Sequence, residues 1–464
     1  MELWVHGLGQ LARLITSRQA SSREVVEAHL QRIGAVNPAL KALPRVLADD
    51  ALRAADEADR IIANGGRAGA LHGVPISVKE NIDVAGLPTT HGVKSLAEAV
   101  AIDDSPQVAN LKAEGAIVIA RGNLPEFALR WDTDNELYGP TINPWNHLLT
   151  PGGSSGGDAV AVAAGMVPLG LGNDDGGSLR HPAQCTGIAS IKPSFGRVPR
   201  ATGNADWESP ISHQLLNAEG PMGRDVEDVR LALEIMSRPS LRDPWQVHVH
   251  MPLSQEPRRL RVALAPLEGC SRQVANGVRK AATMLVKAGY EVEDAVLPSL
   301  DEAVDAWNKM IIWDTLLGWH QVKPLLSTDG RRQMELTFEI VGEVTAADYQ
   351  QSFMRRLQLA REWAEFQNRY QLVLGPVSTQ PPFARGTDLT QDGLRSILWS
   401  MRLVVAVNLI GLPAAVVPVG TEAGLPQAAQ LIGPRFGEEV CLDAAAAIQA
   451  QAGALTPIAS VGVV

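Results

Sequence analysis

Nine glycines fall within the 31 residues from Gly152 to Pro182, on both sides of an apolar segment. Average glycine usage of about 7% would put about two there. The stretch reads GGSSGGDAVAVAAGMVPLGLGNDDGGSLRHP, and Ser154, Ser155 and Ser178 lie against its glycine pairs. A backbone without side chains lets other atoms approach it closely. The stretch therefore predicts a crowded part of the fold, where chain segments or a ligand contact the main chain.

The apolar runs of the chain alternate between strand-like and helix-like spacing. Short apolar runs predict buried strands at 74–78, 116–120, 167–171, 262–266, 292–297 and 372–376. Apolar residues at helical spacing predict helices within 5–35, 49–65, 270–290, 300–320 and 344–369. This alternation is typical of an α/β fold in which helices cover a sheet. We predict one large domain with a helical insertion near 300–400.

The most apolar run, residues 403–420, contains two prolines and two glycines. Because these residues interrupt a membrane-spanning helix, the run is predicted to form two buried strands around a turn. The N-terminal segment lacks the charged region and the long apolar region of a signal peptide. We therefore expect a cytoplasmic protein with no membrane partner.

Charge and cysteine content exclude further classes of protein. The formal net charge is −10 at pH 7, and no run of lysines and arginines is longer than a pair. Nucleic acid is therefore not expected as a partner. The three cysteines, Cys185, Cys270 and Cys441, lie far apart without a CxxC spacing. This pattern favours reduced thiols and predicts no metal site.

Three interpretations of the glycine-rich stretch come from known local motifs. A phosphate-binding loop fits poorly, because no lysine follows the glycines and Gly170, Gly172 and Gly176 are spaced GxGxxxG. A Ser-His-Asp hydrolase matches GxSxG twice, but the preceding WNHLLTP is typical of a loop rather than a strand. A structural role is also open, with Ser154 or Ser155 capping a helix at 158–164 that ends at Gly165.

A fourth interpretation treats the two halves of the glycine-rich stretch as parts of one site. The strand at 167–171 runs into the loop 172–178, and residues 179–185 have the pattern of a short helix. A serine at such a strand-to-helix turn is exposed, which makes Ser178 a candidate nucleophile. Free backbone N–H groups in the same loop would hold an oxyanion. The predicted donors are Asp175, Gly176, Gly177 and Ser178.

A nucleophilic serine needs a base. His181 lies three residues further on in the same helical turn and would need a bent geometry to reach Ser178. Lys79 lies at the end of the predicted strand 74–78. Burial depresses the pKa of a lysine by up to about 3–5 units, which would let Lys79 accept a proton near pH 7. Most lysines are solvated surface groups, so the spacing alone leaves the base open.

The combination of motifs resembles the amidase signature family. GVPISVKENIDVAG (73–86), the glycine-rich stretch and GIASIKPSFGRVP (187–199) occur in the family's order. The resemblance covers most of the chain except about 235–400. The set of motifs is specific, whereas no single motif is. The further matching segments are NLPEFA (123–128), GPTINPWN (139–146), AEGPMGRDVEDV (218–229) and NLIGLPAAVVPVG (408–420).

The resemblance implies a Ser–cis-Ser–Lys triad that needs no metal or cofactor. Ser178 matches the family's nucleophile, and Lys79 matches its base. Ser154 matches the serine that relays the proton between them, after a cis peptide bond from Gly153. The resemblance also implies that Asp174 and Arg180 brace the oxyanion loop.

The resemblance further implies a fold and its divisions. It predicts a single amidase signature domain over residues 1–464, with a central twisted mixed β-sheet covered by α-helices on both faces. Its parts would be N-terminal helices at about 5–65, a signature core at about 70–235, a variable substrate-cleft region at about 300–400, and C-terminal strands and a helix at about 403–452. We expect a monomer or a homodimer.

Three residues depart from the family pattern without touching the triad. Asp158 replaces a small residue after SSGG, where an acidic side chain suits the start of a helix. Asn173 stands where threonine or serine is common, at the edge of the acyl pocket. Asp175 stands where a neutral residue is usual, so its carboxylate must point away from the oxyanion.

The resemblance gives an expected substrate class. Ala128, Leu129, Arg130 and Trp131 would lie along the substrate cleft. Trp307, Trp313, Trp319, Trp363 and Trp399 would either pack in the core or form an apolar wall. A neutral, fairly hydrophobic amide, anilide or carbamate is expected, and a urethanase is one form of this hypothesis. The alternative is the glutamine-hydrolysing subunit of a tRNA-dependent amidotransferase, although residues 386–402 do not resemble that protein's glutamine-binding stretch.

Overall fold

A mixed β-sheet of eleven strands is the centre of the fold. The computed structural model describes residues 2–203, 208–249 and 260–455. Across the sheet the strand order is β1-β3-β2-β4-β6-β5-β10-β11-β9-β7-β8. The strands are β1 (Arg45–Val46), β2 (Pro75–Lys79), β3 (Ile117–Gly122), β4 (Leu169–Asp174), β5 (Ala189–Lys192), β6 (Ala218–Gly223), β7 (Arg261–Leu264), β8 (Glu291–Asp294), β9 (Leu372–Gly375), β10 (Ala414–Glu422) and β11 (Leu425–Ile432).

Fifteen α-helices connect these strands within the described residues. Several begin with a side-chain cap; Ser21, for example, accepts a hydrogen bond from the Glu24 N–H, and Glu24 accepts one in return from the Ser21 N–H. The helices are α1 (Leu8–Thr16), α2 (Ser22–Leu40), α3 (Ala48–Ala63), α4 (Pro106–Ala113), α5 (Gly156–Ala163), α6 (Arg180–Thr186), α7 (Ile211–Leu216), α8 (Val226–Met236), α9 (Arg272–Lys287), α10 (Leu300–Val322), α11 (Thr328–Val341), α12 (Ala346–Arg369), α13 (Gln391–Ser400), α14 (Arg402–Ile410) and α15 (Glu438–Ala452).

Helices cover both faces of the sheet, and β10 shows how the sequence achieves this. Successive side chains of a strand point to opposite faces. Ala415 and Val417 pack in the apolar core that includes residues of α8, α9 and α15. Val416, between them, packs in the core on the other face, which includes α5. A strand that is apolar at every position therefore fits the middle of the sheet.

Strand direction brings the candidate site residues to one edge of the sheet. β2 runs parallel to both of its neighbours, β3 and β4. The carboxyl ends of β2 and β4 therefore meet, which places Lys79 beside Asn173 and Asp174. β6 runs antiparallel to β4, and its register places Glu219 directly opposite Asn173.

The glycine pair of Gly156 and Gly157 allows α5 to lie against neighbouring backbone. All eight residues of this helix are buried. A Cβ at Gly157 would lie 2.1 Å from the Asn123 nitrogen and 2.6 Å from the Ala42 oxygen, closer than any side chain allows. α5 contacts β2, β3, β4 and β6. The glycines therefore position the serine segment, which precedes this helix, against the end of β2.

The predicted single-domain α/β fold is confirmed. For one segment, the predicted type of secondary structure is wrong. Each predicted strand from 74–78 to 372–376 and each predicted helix is present, with shifted ends. The two-strand prediction for 403–420 is wrong in its first half, because Arg402–Ile410 is a helix. Seven of its nine residues are apolar, and all except Arg402 are buried. A helix that is apolar on all sides has no 3.6-residue pattern to distinguish it from a strand.

No single helix among the described residues is both long and apolar enough to cross a membrane. α13 and α14 meet both criteria only when they are taken as one segment, and they meet at a bend of 57°.

Candidate active site

Lys79 lies at the carboxyl end of β2 and is completely buried. Its Nζ donates to Ser154 Oγ and to Asn173 Oδ1, each at 2.7 Å. Burial lowers the pKa of Lys79 to about 7, although the carboxylates of Glu219, Asp158 and Asp174 oppose the shift. A large fraction of the amine is therefore uncharged at neutral pH, as a base must be.

Ser154 follows a cis peptide bond from Gly153. A Cβ at Gly153 would lie 2.6 Å from the Arg130 oxygen and 2.7 Å from the Trp131 carbonyl carbon, so this position excludes side chains. The next residue, Ser155, does not cap α5 with its hydroxyl. That hydroxyl instead donates to the Asn173 oxygen at 3.2 Å, and the Ser155 N–H donates to the Ser178 oxygen at 3.1 Å. The GGSS segment is thus fixed to both ends of the second glycine-rich loop.

Ser178 and Ser154 border the same cavity. Ser178 is 8% exposed, and no hydrogen bond among the described residues involves its hydroxyl. No hydrogen bond joins the Ser154 and Ser178 hydroxyls among the described residues. The hydrogen bond from Lys79 to Ser154 is therefore formed, whereas the one between the two serines is not. Catalytic hydrogen bonds are often long in the absence of substrate.

Three of the four N–H groups predicted as oxyanion donors are free to donate to a ligand. Within the described residues, the N–H groups of Asp175, Gly176 and Ser178 have no protein acceptor. The prediction for Gly177 is wrong, because its N–H donates to Asp174 Oδ1 at 2.7 Å. The Asp174 carboxylate is buried and lies three residues before Gly177, so it accepts this N–H and leaves it unavailable to a ligand.

Two indole rings hold the carbonyl groups of this loop. Trp307 Nε1 donates to the Asp175 oxygen at 2.9 Å, and Trp131 Nε1 donates to the Gly176 oxygen at 3.0 Å. A Cβ at Gly176 would lie 2.7 Å from Cζ2 of Trp307, so the glycine is required for this contact. Sequence reasoning gave Trp307 two possible roles but did not connect it to the loop. Because the two residues are 132 positions apart in the sequence, no local sequence pattern predicts this hydrogen bond.

Asp174 and Arg180 form a buried ion pair beneath the loop, at 2.9 Å. Although burial alone would raise the pKa of Asp174, the Arg180 guanidinium and its hydrogen bonds hold that pKa well below its ordinary value. Asp174 also accepts the Leu179 N–H at 3.1 Å. Arg180 reaches Gln430, Val404 and Asn408 on neighbouring elements. The pair therefore fixes the loop to the sheet and to α14.

The three departures from the family pattern have separate environments. Asp158 does not cap a helix; it accepts from Ser77 Oγ at 2.6 Å, and burial raises its pKa to about 7. Asn173 contacts Lys79 directly, a role that its position in the sequence did not indicate. The Asp175 carboxylate contacts His213, and no hydrogen bond joins it to a loop N–H within the described residues. Burial lowers the pKa of His213, but the contact with Asp175 outweighs it and raises the pKa.

Ala128, Leu129 and Arg130 all border the cavity, as predicted for the cleft segment. The guanidinium of Arg130 does not face the cavity as a free charge, because it forms a buried ion pair with Asp388 at 2.8 and 3.0 Å. Its guanidinium is therefore occupied within the protein. Asp388 belongs to the 386–402 segment, whose partner in the fold was not apparent from the sequence.

The cavity has a volume of about 1,170 Å³ and is mostly apolar. Of the five tryptophans proposed as an apolar wall, only Trp307 borders it. Trp363 is fully buried in the core, and Trp399 lies under Arg402. Trp313 and Trp319 pack against Tyr349 and Phe338. No cluster of three or more His, Cys, Asp and Glu residues in the described ranges could hold a metal ion.

Comparison with known proteins agrees with this architecture. The amidase family model matches residues 24–442. The chain belongs to the amidase signature family. Among members of the family, it is 40% identical to an indoleacetamide hydrolase of Bradyrhizobium diazoefficiens, over 98% of this chain and 88% of the relative. It is 33% identical to a glutamyl-tRNA(Gln) amidotransferase subunit of Symbiobacterium thermophilum, over 95% of each chain.

A solved structure extends the likeness to the fold. A bacterial aryl acylamidase of the amidase signature family superposes with a TM-score of 0.84 and 29% identity, covering 97% of this chain and 96% of that one. Family membership and these relatives establish the general reaction. The chain is a hydrolase of carbon–nitrogen bonds in amides other than peptides.

Proposed function

We propose that this amidase hydrolyses neutral primary amides of arylacetic acids, of which indole-3-acetamide is the representative. The observation that carries the proposal is Lys79, which is buried with a pKa of about 7 and contacts Ser154 at the edge of a large apolar cavity. The likeness to an indoleacetamide hydrolase supports the aromatic acyl group. Anilides and carbamates present the same acyl carbon and are secondary substrates in this proposal.

The reaction proceeds through an acyl-enzyme. Neutral Lys79 takes the proton of Ser154, which in turn takes the proton of Ser178 as its oxygen attacks the acyl carbon. The N–H groups of Asp175, Gly176 and Ser178 hold the oxyanion of the tetrahedral intermediate. The proton returns through Ser154 to the leaving nitrogen, and the carbon–nitrogen bond breaks to release ammonia. Water then hydrolyses the ester on Ser178, which yields the carboxylic acid and the free serine.

Asp175 fits this mechanism because its carboxylate is held by His213. A carboxylate beside the oxyanion would oppose the developing negative charge. The contact with His213 binds the carboxylate and, against the effect of burial, raises the pKa of His213, which favours the charged imidazole beside Asp175. In the proposed mechanism, Asp175 therefore acts through its backbone N–H alone.

A glutamine-hydrolysing subunit is the alternative function. In the 386–402 segment, Asp388 is paired with Arg130 and is 1% exposed. Neither charge is therefore available for the amino and carboxylate groups of a glutamine. The mostly apolar cavity also favours an uncharged substrate. We therefore retain the single-chain amidase.

The test combines active-site labelling with a substrate panel. A fluorophosphonate probe should label the wild-type protein but not Ser178→Ala. Ser155→Ala is the matched control and should still be labelled, because the hydroxyl of Ser155 contacts the Asn173 carbonyl. The panel contains indole-3-acetamide, p-nitroacetanilide, an aryl carbamate and glutamine. Fastest turnover of indole-3-acetamide supports the proposal, whereas labelling of Ser178→Ala or a preference for glutamine contradicts it.

A further inference from the structure

One corner of the cavity contains a buried carboxylate that the proposed mechanism does not use. Glu219 lies on β6 directly opposite Asn173 of β4, so the two side chains share one face of the sheet. Asn173 is the residue that contacts Lys79. Glu219 is only 3% exposed and borders the cavity. This carboxylate therefore lies close to the reacting groups.

The carboxylate is only partly satisfied by the protein. Glu219 Oε1 lies 3.5 Å from Arg200 Nε. Glu219 Oε2 is buried and has no hydrogen-bond partner among the described residues. A buried acceptor without a donor costs free energy, so its retention at a ligand cavity indicates a donor supplied by the ligand.

A second acceptor borders the same cavity. Gln107, near the start of α4, is 1% exposed, and its Oε1 also lacks a partner within the described chain. Burial dominates and raises the pKa of Glu219 to about 7, against the charges of Arg200 and Lys79 and the nearby amides of Asn173 and Gln107. Above this pH the carboxylate is charged, and an ionised carboxylate can only accept hydrogen bonds.

We infer that Glu219 determines specificity by accepting a hydrogen bond from an N–H group in the acyl part of the substrate. The inference rests on the proposed function, because a primary amide releases ammonia and its additional N–H must lie in the acyl part. An aromatic N–H such as that of an indole fulfils this requirement. A hydrocarbon ring of the same shape leaves Glu219 Oε2 buried and unpaired. Pockets built for a hydrogen bond reject analogues that lack the donor more strongly than apolar pockets reject a change of size.

The experiment compares two substrates of one shape at pH 8.5. Indole-3-acetamide carries the N–H, and benzothiophene-3-acetamide has sulfur in its place. For the wild-type protein we expect kcat/KM to be about 10- to 100-fold higher with the indole, from the cost of an unpaired buried acceptor. Glu219→Met should reduce this ratio to near one, mainly through loss of activity on the indole.

The ratio separates recognition from other effects of Glu219. Its charge raises the pKa of Lys79, so any variant changes the rates with both substrates through that base. Such an effect, or a loss of stability, changes both rates by the same factor and therefore cancels in the ratio of the two kcat/KM values. Gln333→Met is the matched control, because Gln333 Oε1 is also buried, unpartnered within the described residues and at the cavity. This control should leave the ratio unchanged.

Each result decides between the two proposals. If the wild-type protein hydrolyses both amides equally well, the proposed function holds and the inference about Glu219 is wrong. The inference is equally wrong if Gln333→Met, and not Glu219→Met, abolishes the preference. If neither amide is hydrolysed while the anilide is, the proposed arylacetamide function fails and the inference fails with it.

Discussion

The pH dependence of hydrolysis tests the role of Lys79 as the base. Burial moves the pKa of Lys79 from 10.5 to about 7. At about 1.4 kcal/mol per pKa unit, this displacement corresponds to about 5 kcal/mol of free energy against the charged amine. The fold supplies that free energy by burying Lys79 at the end of β2, which lies between β3 and β4 and packs against α5. The proton affinity of the base is thus set by the tertiary structure.

The sign of the pH effect follows from the form that reacts. A base acts when it is unprotonated, so kcat/KM should rise with pH through about 7 and become constant above about pH 8. At pH 5 about 1% of the amine would be neutral, so the rate should be about 100-fold below the plateau. Steady-state hydrolysis of indole-3-acetamide from pH 5 to 10 measures this profile. A flat profile, or a rate that still rises at pH 10, would refute the assignment.

Matched variants assign the titration to Lys79. Lys192 is a second buried lysine with a pKa lowered to about 7, but its Nζ donates to the Pro193 oxygen, away from the triad. Lys192→Met should leave the apparent pKa unchanged. Glu219 is the charge that most raises the pKa of Lys79, so Glu219→Gln should move the titration to lower pH. Disappearance of the titration in Glu219→Gln would instead assign it to that carboxyl, whose pKa is also about 7.

Three further variants test the surrounding groups. Ser154→Ala should lower kcat by about 10²- to 10⁴-fold through loss of the proton relay, with the melting temperature retained; wild-type rates would remove the relay. Trp307→Phe keeps an aromatic ring but removes the N–H that holds the oxyanion loop, and should lower kcat by about 3- to 10-fold at similar KM. Trp245→Phe is its control, since that indole also borders the cavity but donates to Gln214; equal effects would contradict the assignment. Asp388→Ala leaves the buried Arg130 unpaired, so urea unfolding should show a loss of about 3–5 kcal/mol; an unchanged unfolding free energy would refute this account.

Local sequence signals predicted those parts of the fold that depend on near neighbours. The helical spacing of apolar residues within 5–35 and the apolar run 74–78 before Lys79 gave the correct element types. The helix at Arg402–Ile410 was predicted as a strand. A buried segment that is apolar throughout satisfies both patterns, and its surroundings decide between them.

The candidate site likewise has features that the sequence indicated and features that only the fold decided. The glycine-rich stretch indicated Ser178 and the loop before it, whereas Ser154 as the relay and Lys79 as the base came from the family resemblance. The sequence could not show that the Gly177 N–H would bind Asp174, because that choice depends on the exact direction of one peptide plane. It could not pair Arg130 with Asp388 either, since these residues are 258 positions apart.

The sequence by itself determined which residue types were available and where the backbone had to be free of side chains. Only the tertiary structure decided the electrostatics: which carboxylates have a basic partner, which lysines lose their solvent, and which buried oxygens at the cavity remain without a donor. The physical reason is that propensity and spacing act over a few residues. Desolvation and charge pairing depend on all groups within several ångströms, and in this fold those groups come from strands and helices distant in the chain.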